Sequence, residues 1–140
     1  NDLLETSMDG ELGFSNSAQY VESPSLRQVF SNRAQDCRRA VEELRTQIIG
    51  LGGKPHKSGS GSGKVHRTWL KMRGKLSGHS DEAMLEECER GEDVAKARYK
   101  KALEKSLPAD VQLLVQRQYE GTLKNHDQIR LLRDEFAHHA

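Results

Sequence analysis

The sequence predicts an all-α fold: two antiparallel helical hairpins joined by a long crossover into one four-helix bundle spanning residues 1–140. Three observations carry this. Four segments repeat apolar residues at alternating steps of three and four, the period of a helix with one buried face. Capping residues stand at the ends of those segments. Two of the three connections are short, and the third is long enough to run the length of a helix.

The first helix, expected near 3–21, carries the stripe Leu4, Ser7, Glu11, Phe14, Ala18 and Val21. The second, near 25–50, carries Leu26, Phe30, Cys37, Val41, Leu44, Ile48 and Leu51. Ser23-Pro24 supplies its N-cap and first helical residue, and Gly50, Gly52 and Gly53 stop it. The third, near 81–105, carries Leu85, Cys88, Glu92, Ala95, Tyr99 and Ala102, and opens on Ser80, Asp81 and Glu82. Those acids stand at the positive end of the helix dipole. The fourth, near 109–137, opens after Pro108 and carries Val111, Val115, Tyr119, Thr122, Ile129 and Phe136, with His126 among them. The short turns at 22–25 and 105–109 make hairpins of residues 3–50 and 81–137. Between them lies a connection over 52–79. Lys54 to Gly63 is rich in Gly and Ser, a strap. Lys64 to Leu76 holds Val65, Trp69, Met72 and Leu76, a short amphipathic helix. A helix of about 25 residues is about 38 Å long. The connection can span that, so helices two and three are expected to run parallel.

Composition narrows the function classes. Lys plus Arg number 22 and Asp plus Glu 21, a net charge of +1, where a nucleic-acid grip calls for a basic stripe. Aromatics are 5% of the chain, too few for base stacking. No apolar run approaches the roughly 18 residues of a membrane span, and residues 1–10 hold acids and no basic leader. Two distant cysteines, Cys37 and Cys88, suit a reducing cytoplasm better than a disulfide framework. The expectation is a cytoplasmic protein that binds neither nucleic acid nor membrane. Ser58 to Lys64 fails as a phosphate loop, because Ser58 and Val65 stand where Gly and Ser or Thr are required.

The chain repeats itself. Leu4-Glu5-Thr6-Ser7-Met8-Asp9-Gly10-Glu11 aligns with Leu85-Glu86-Glu87-Cys88-Glu89-Arg90-Gly91-Glu92. Farther on, Phe30 and Val115 take equivalent places, as do Cys37 and Thr122. The repeat sets Glu11 and Glu92 in the apolar seams, where an unpaired carboxylate is costly. Each must find a donor, keep a proton or bind a cation. The two are expected in one side-chain layer near the bundle middle.

Gly10-Glu11 followed by Phe14, Ala18 and Tyr20 resembles the first helix of rubrerythrin-type ferritin-like proteins. Gly91-Glu92 followed by Ala95, Ala97 and Tyr99 resembles the third. The resemblance implies a metal-ligand role for each Glu and a Glu-x-x-His on each of the other two helices. Here Cys37 and Ala40 stand at one such pair of positions, and Thr122 and Asn125 at the other. The sequence is more similar to a bacterial branch of that superfamily with no assigned activity, often linked to stress responses. Glu87-Cys88-Glu89-Arg90-Gly91-Glu92-Asp93, Leu107-Pro108-Ala109-Asp110, Gln118-Tyr119-Glu120-Gly121, His66-Arg67-x-Trp69 and His126-Asp127-x-Ile129-Arg130 carry that similarity. It spans nearly the whole chain.

Two carboxylates and one imidazole are a thin ligand set for two cations. The expectation is therefore a buried polar layer of Glu11, Glu92, Ser7, Cys37, Cys88, Tyr99, Thr122 and His126, with no catalytic residue, metal or cofactor. Arg33 and Gln118 at the seam edge are further possible donors. If a residual metal site exists, its ligands come from Glu11, Glu92, Glu120 and His126. The expected function is non-catalytic, through homo-oligomerisation or a protein partner. The alternative is a divergent metal-binding bundle with oxidase or peroxide-related chemistry, and a dithiol redox sensor built on Cys37 and Cys88 comes third.

Overall fold

The computed structural model describes residues 1–57 and 80–139. They form an all-α four-helix bundle: α1 (Asp2–Tyr20), α2 (Pro24–Gly50), α3 (Ser80–Leu103) and α4 (Ala109–His139). There is no strand among the described residues. The short helix expected over 64–76 lies outside them.

The helix ends obey local chemistry. Ser23 Oγ accepts from the Leu26 amide at 3.4 Å and Pro24 begins α2. At the other end Gly52 adopts a φ of 81°, which costs a Cβ-bearing residue strain. The next amide, Gly53 N, then returns to the Ile48 carbonyl at 2.9 Å, a common way to satisfy the last carbonyls of a helix. Leu51, expected in the seam, is exposed because the helix stops before it.

Two contacts set the topology. Asp81, in the first turn of α3, accepts from the amides of Glu22 (2.8 Å) and Ser23 (3.0 Å) in the α1–α2 turn. Near the opposite end of α3, Arg98 Nη1 donates to Thr6 Oγ1 at 2.8 Å. So α3 starts where α1 ends and runs antiparallel to it, which leaves α2 and α3 parallel. α1 packs on α2 and α3, α4 packs on α3, and α2 and α4 touch only lightly.

Apolar residues bury at both ends. Phe14, Ala18, Val21, Leu26, Phe30, Ala34, Met84, Leu85, Cys88 and Ile129 form the largest cluster, toward the α1–α2 turn. Leu4, Val41, Leu44 and Leu114 form one smaller cluster, and Tyr99, Val111 and Val115 another. Ser17 is fully buried although it lies outside the seam pattern. Its hydroxyl donates to the Gly13 carbonyl (2.8 Å) and sits 3.2 Å from Cys88 Sγ, so the helix itself satisfies it. The polar middle of the bundle lies between these clusters.

Candidate functional site

A cavity of about 750 Å³ occupies that middle. Ser7 and Gly10 of α1, Arg33, Cys37 and Ala40 of α2, Cys88, Glu92 and Tyr99 of α3, and Gln118, Thr122 and Asn125 of α4 line it. Exposed Arg39, Arg90 and Arg117 on its wall show that it opens to solvent. Its volume falls in the range of small-molecule pockets. The fold thus converges Cys37, Ala40, Thr122 and Asn125 on the same space as Glu92.

The centre of the site is an ion pair. Glu92 is 3% exposed, and Arg33 Nε and Nη2 both donate to its Oε1 at 3.3 Å. Arg33 Nη1 donates to Asp36 Oδ2 at 3.0 Å, and its Cζ lies 5.1 Å from the Phe14 ring centroid, within cation–π range. One side chain of α2 therefore joins α1 and α3. Phe14 is fixed in turn by Phe30, with ring centroids 6.2 Å apart. The two guanidinium nitrogens that face Glu92 reach the same oxygen, so Glu92 Oε2 is buried without a hydrogen bond among the described residues.

Burial shapes the acid–base chemistry here. It pushes the Glu92 carboxyl above its ordinary value, more than the Arg33 charge and hydrogen bonds pull it down. Burial works against the charged Arg33 guanidinium as well, but Glu92, Cys37 and Asp36 outweigh it and Arg33 stays charged. Burial pushes the Cys37 thiol up to about 12, with Arg33 opposing. Part of the Cys37 residue is exposed, yet the thiol is turned inward against Gly10. Cys88 rises to about 12 by burial, with Ser17 opposing. Tyr99 also rises to about 12 by burial, with a Ser7 hydrogen bond opposing. Its hydroxyl donates to Gln118 Oε1 at 2.8 Å.

Two residues of the expected polar layer are placed elsewhere. Glu11 is a rim residue, its side chain 29% exposed, and Arg38 Nε donates to its Oε1 at 3.0 Å. The cause is the close approach of α1 to α2 one residue earlier: Gly10 faces the Cys37 thiol, so a Cβ there would lie 2.9 Å from Sγ. That turns Glu11 toward the edge. His126 is buried, but between α3 and α4, beside Asp93. Glu120 is exposed, accepts from Gln116 Nε2 at 3.2 Å, and borders a separate groove between α2 and α4. Glu92 and His126 are near enough for their charges to interact, but Glu11, Glu92, Glu120 and His126 do not meet as a ligand set among the described residues.

Arg33 is the site residue that the seam pattern set only at the edge. It lies three residues after Phe30 and four before Cys37. Its spacing alone marks an inward place, and only its charge argued against one.

Residues 1–105 match a known family, the Domain of unknown function (DUF2383). The chain belongs to that family. No curated protein matches it. The DUF2383 match takes in α1, α2 and α3 and stops in the turn before α4. The Arg33–Glu92 pair, Gly10 and both cysteines therefore lie within the DUF2383 region. The α4 wall, with Gln118, Thr122 and Asn125, lies beyond it.

Proposed function

We propose that this chain is a non-catalytic member of the ferritin-like superfamily. In this reading it works in the cytoplasm, in a stress-linked setting, by binding a second copy of itself or a protein partner. One observation carries the reading: the Arg33 guanidinium lies on the Glu92 carboxylate in the middle of the bundle. A di-metal centre of this superfamily needs about four carboxylates and two imidazoles there. The residues present do not fit it. Glu92 is held by a fixed cation, Glu11 is turned to Arg38, and a neutral thiol, Ala40, Thr122 and Asn125 stand at the other positions. The thiols and the phenol keep their protons near neutrality, so none of them acts as a ready nucleophile or base.

The groove between α2 and α4 supports binding. Leu113 is 73% exposed beside Thr46, Gln47 and Arg117, where the two helices touch only lightly, and exposed Leu131 lies five turns farther along α4. A second copy is the occupant proposed first. Sedimentation across concentration should show an associated species that Leu113→Asp disperses. A chain that is monomeric throughout would remove self-association.

The metal-binding alternative has one feature in its favour, the unbonded Glu92 Oε2 on the cavity wall, but a cation there must compete with Arg33. Elemental analysis of protein expressed with iron, manganese and zinc decides between the two readings. Near-stoichiometric iron or manganese that is lost in Glu92→Gln would overturn the non-catalytic reading.

A further inference from the structure

Away from the central cavity, three side chains converge on the α3–α4 seam. Glu89 and Asp93 are four residues apart and so share one face of α3. His126 comes from α4. One ligating atom from each lies within 4.8 Å of the other two. His126 is 7% exposed, yet its Nε2 has no hydrogen-bond partner among the described residues. Asp93 Oδ1 stands 2.6 Å from Nε2, but off the direction a ring N–H would take, so the contact is electrostatic. Nδ1 is 3.9 Å from Asp127 Oδ1. A buried imidazole nitrogen that stands beside a carboxylate without a hydrogen bond, in a cluster holding a second carboxylate, lacks an electrophile.

We infer that Glu89, Asp93 and His126 bind one divalent transition-metal ion of the zinc class, clasping α3 to α4. The donor set is one imidazole and two carboxylates, which cancels the charge of the ion. Zinc accepts such sets at about 2.0–2.2 Å with a fourth position left for water. The imidazole favours zinc over magnesium or calcium, which take oxygen ligands. Ligand atoms around a tetrahedral zinc stand about 3.3 Å apart. The Asp93–His126 contact must widen from 2.6 Å, and the widest of the three separations, at most 4.8 Å, must shrink by no more than about 1.5 Å. Both are side-chain movements, and the exposed Asp93 is free to make them and to admit solvent to the fourth position. The competitor is Arg133, whose guanidinium pairs with Glu89 and reaches Asp134 Oδ1 at 3.3 Å. When the ion takes Glu89, Arg133 turns to Asp134, so Arg133 sets the affinity threshold.

The inference goes beyond the proposed function, because this site shares no residue with the Arg33–Glu92 cavity. The test is calorimetric titration of the chelator-stripped full chain with zinc chloride. One ion per chain is expected. Asp93→Asn and His126→Gln should each weaken binding by at least about tenfold, and Arg133→Gln should tighten it. Asp93 is exposed, so Asp93→Asn keeps the test decisive even if the His126 variant folds poorly. Zinc binding that survives both ligand substitutions overturns the site, and so does loss of binding in His138→Ala/His139→Ala. Displacement of zinc by millimolar magnesium overturns the assigned ion class. Binding lost instead in Glu92→Gln would sink the site and the non-catalytic reading together. Failure at Asp93 alone leaves that reading standing.

Discussion

Gly10-Glu11 in α1 and Gly91-Glu92 in α3 are the same pair at the same place in two helices that each open a hairpin. Their surroundings agree on either side: Leu4 and Leu85, Ser7 and Cys88, and Ala18 and Tyr99 are buried in both. The middle differs. Glu92 is enclosed and held by Arg33, while Glu11 stands at the rim on Arg38. A Cβ on Gly10 would meet the Cys37 thiol, and one on Gly91 would meet nothing within 4 Å. The repeat explains the asymmetry. Phe30 matches Val115 and Cys37 matches Thr122, so Arg33 matches Gln118. Arg33 is a cation and crosses to Glu92. Gln118 is neutral and takes the Tyr99 hydroxyl, which leaves Glu11 to find a charge on the surface. The close approach at Gly10 turns Glu11 outward, and the facing residue, Arg33 or Gln118, decides which glutamate meets a buried cation.

The largest effect should come from Arg33. Arg33→Met leaves the Glu92 carboxylate in the bundle without its cation, and removing one member of a buried pair costs about 3 kcal/mol or more. The Phe14 contact is lost as well. Urea unfolding measures it. Arg33→Met/Glu92→Leu should recover most of the loss, since two apolar residues need no charge compensation. A single variant within 1 kcal/mol of the parent would show that the pair does not hold the middle together.

Next in size is a sign difference between the two glycines. Gly10→Ala places a methyl 2.9 Å from Cys37 Sγ, and relieving such overpacking costs about 1–3 kcal/mol. Gly91→Ala meets open space in the body of α3 and should stabilise by about 0.5–1 kcal/mol, the helix penalty of glycine. Melting temperatures should move in opposite directions. Movement in the same direction would break the comparison at its geometric root. Gly10→Ala in a Cys37→Ala background should lose most of its penalty.

Much of the fold is legible in the residues. The stripe of Leu4, Phe14, Leu26, Phe30, Val41, Leu85, Val115 and Ile129 gives both period and buried face, and all eight are buried. The site is less legible for an identifiable reason. Periodicity reports which face of a helix a residue occupies, but whether a polar residue on that face is buried depends on how near the neighbouring helix comes. Glu11 and Glu92 share a register and differ in neighbour. Arg33 falls in the period of its helix, but its charge disguises it. The Glu89–Asp93–His126 cluster joins two helices through residues 33 positions apart from Asp93 to His126, and no spacing within one helix announces it.

A third difference should appear with pH. Burial raises the Glu92 pKa above 4.5, so the folded chain keeps this proton to higher pH than the unfolded chain does. Between 4.5 and the folded value the native state binds more protons, and this group's contribution to stability falls as pH rises through that window. Glu92→Gln removes the slope. The difference in urea stability between parent and Glu92→Gln, followed from pH 4 to pH 8, should change in the parent's disfavour as pH rises and then level off. The amide still accepts from Arg33, so the fold is retained. A difference that moves the other way would mean that Arg33 outweighs burial.

The smallest effect belongs to Glu11. Its bond to Arg38 is as short as any at the central pair, 3.0 Å against 3.3 Å, yet distance is not what sets its worth. Arg38 is 63% exposed, so the pair competes with water and salt for both charges, and exposed pairs contribute about 0.2–1 kcal/mol or less. Glu11→Gln keeps an acceptor for Arg38 and buries nothing new. Its cost should stay within about 0.5 kcal/mol. The remaining effect should shrink further in 0.5 M salt, because screening acts on exposed pairs far more than on enclosed ones. Arg38→Gln should behave the same way, and the double variant should be additive within error. The decisive comparison is the same double-variant cycle on Arg33 and Glu92, where strong non-additivity is expected because each residue compensates the other's burial. Equal coupling energies in the two cycles would mean that the two halves of the repeat hold their glutamates alike, and the difference in burial would then have no energetic consequence.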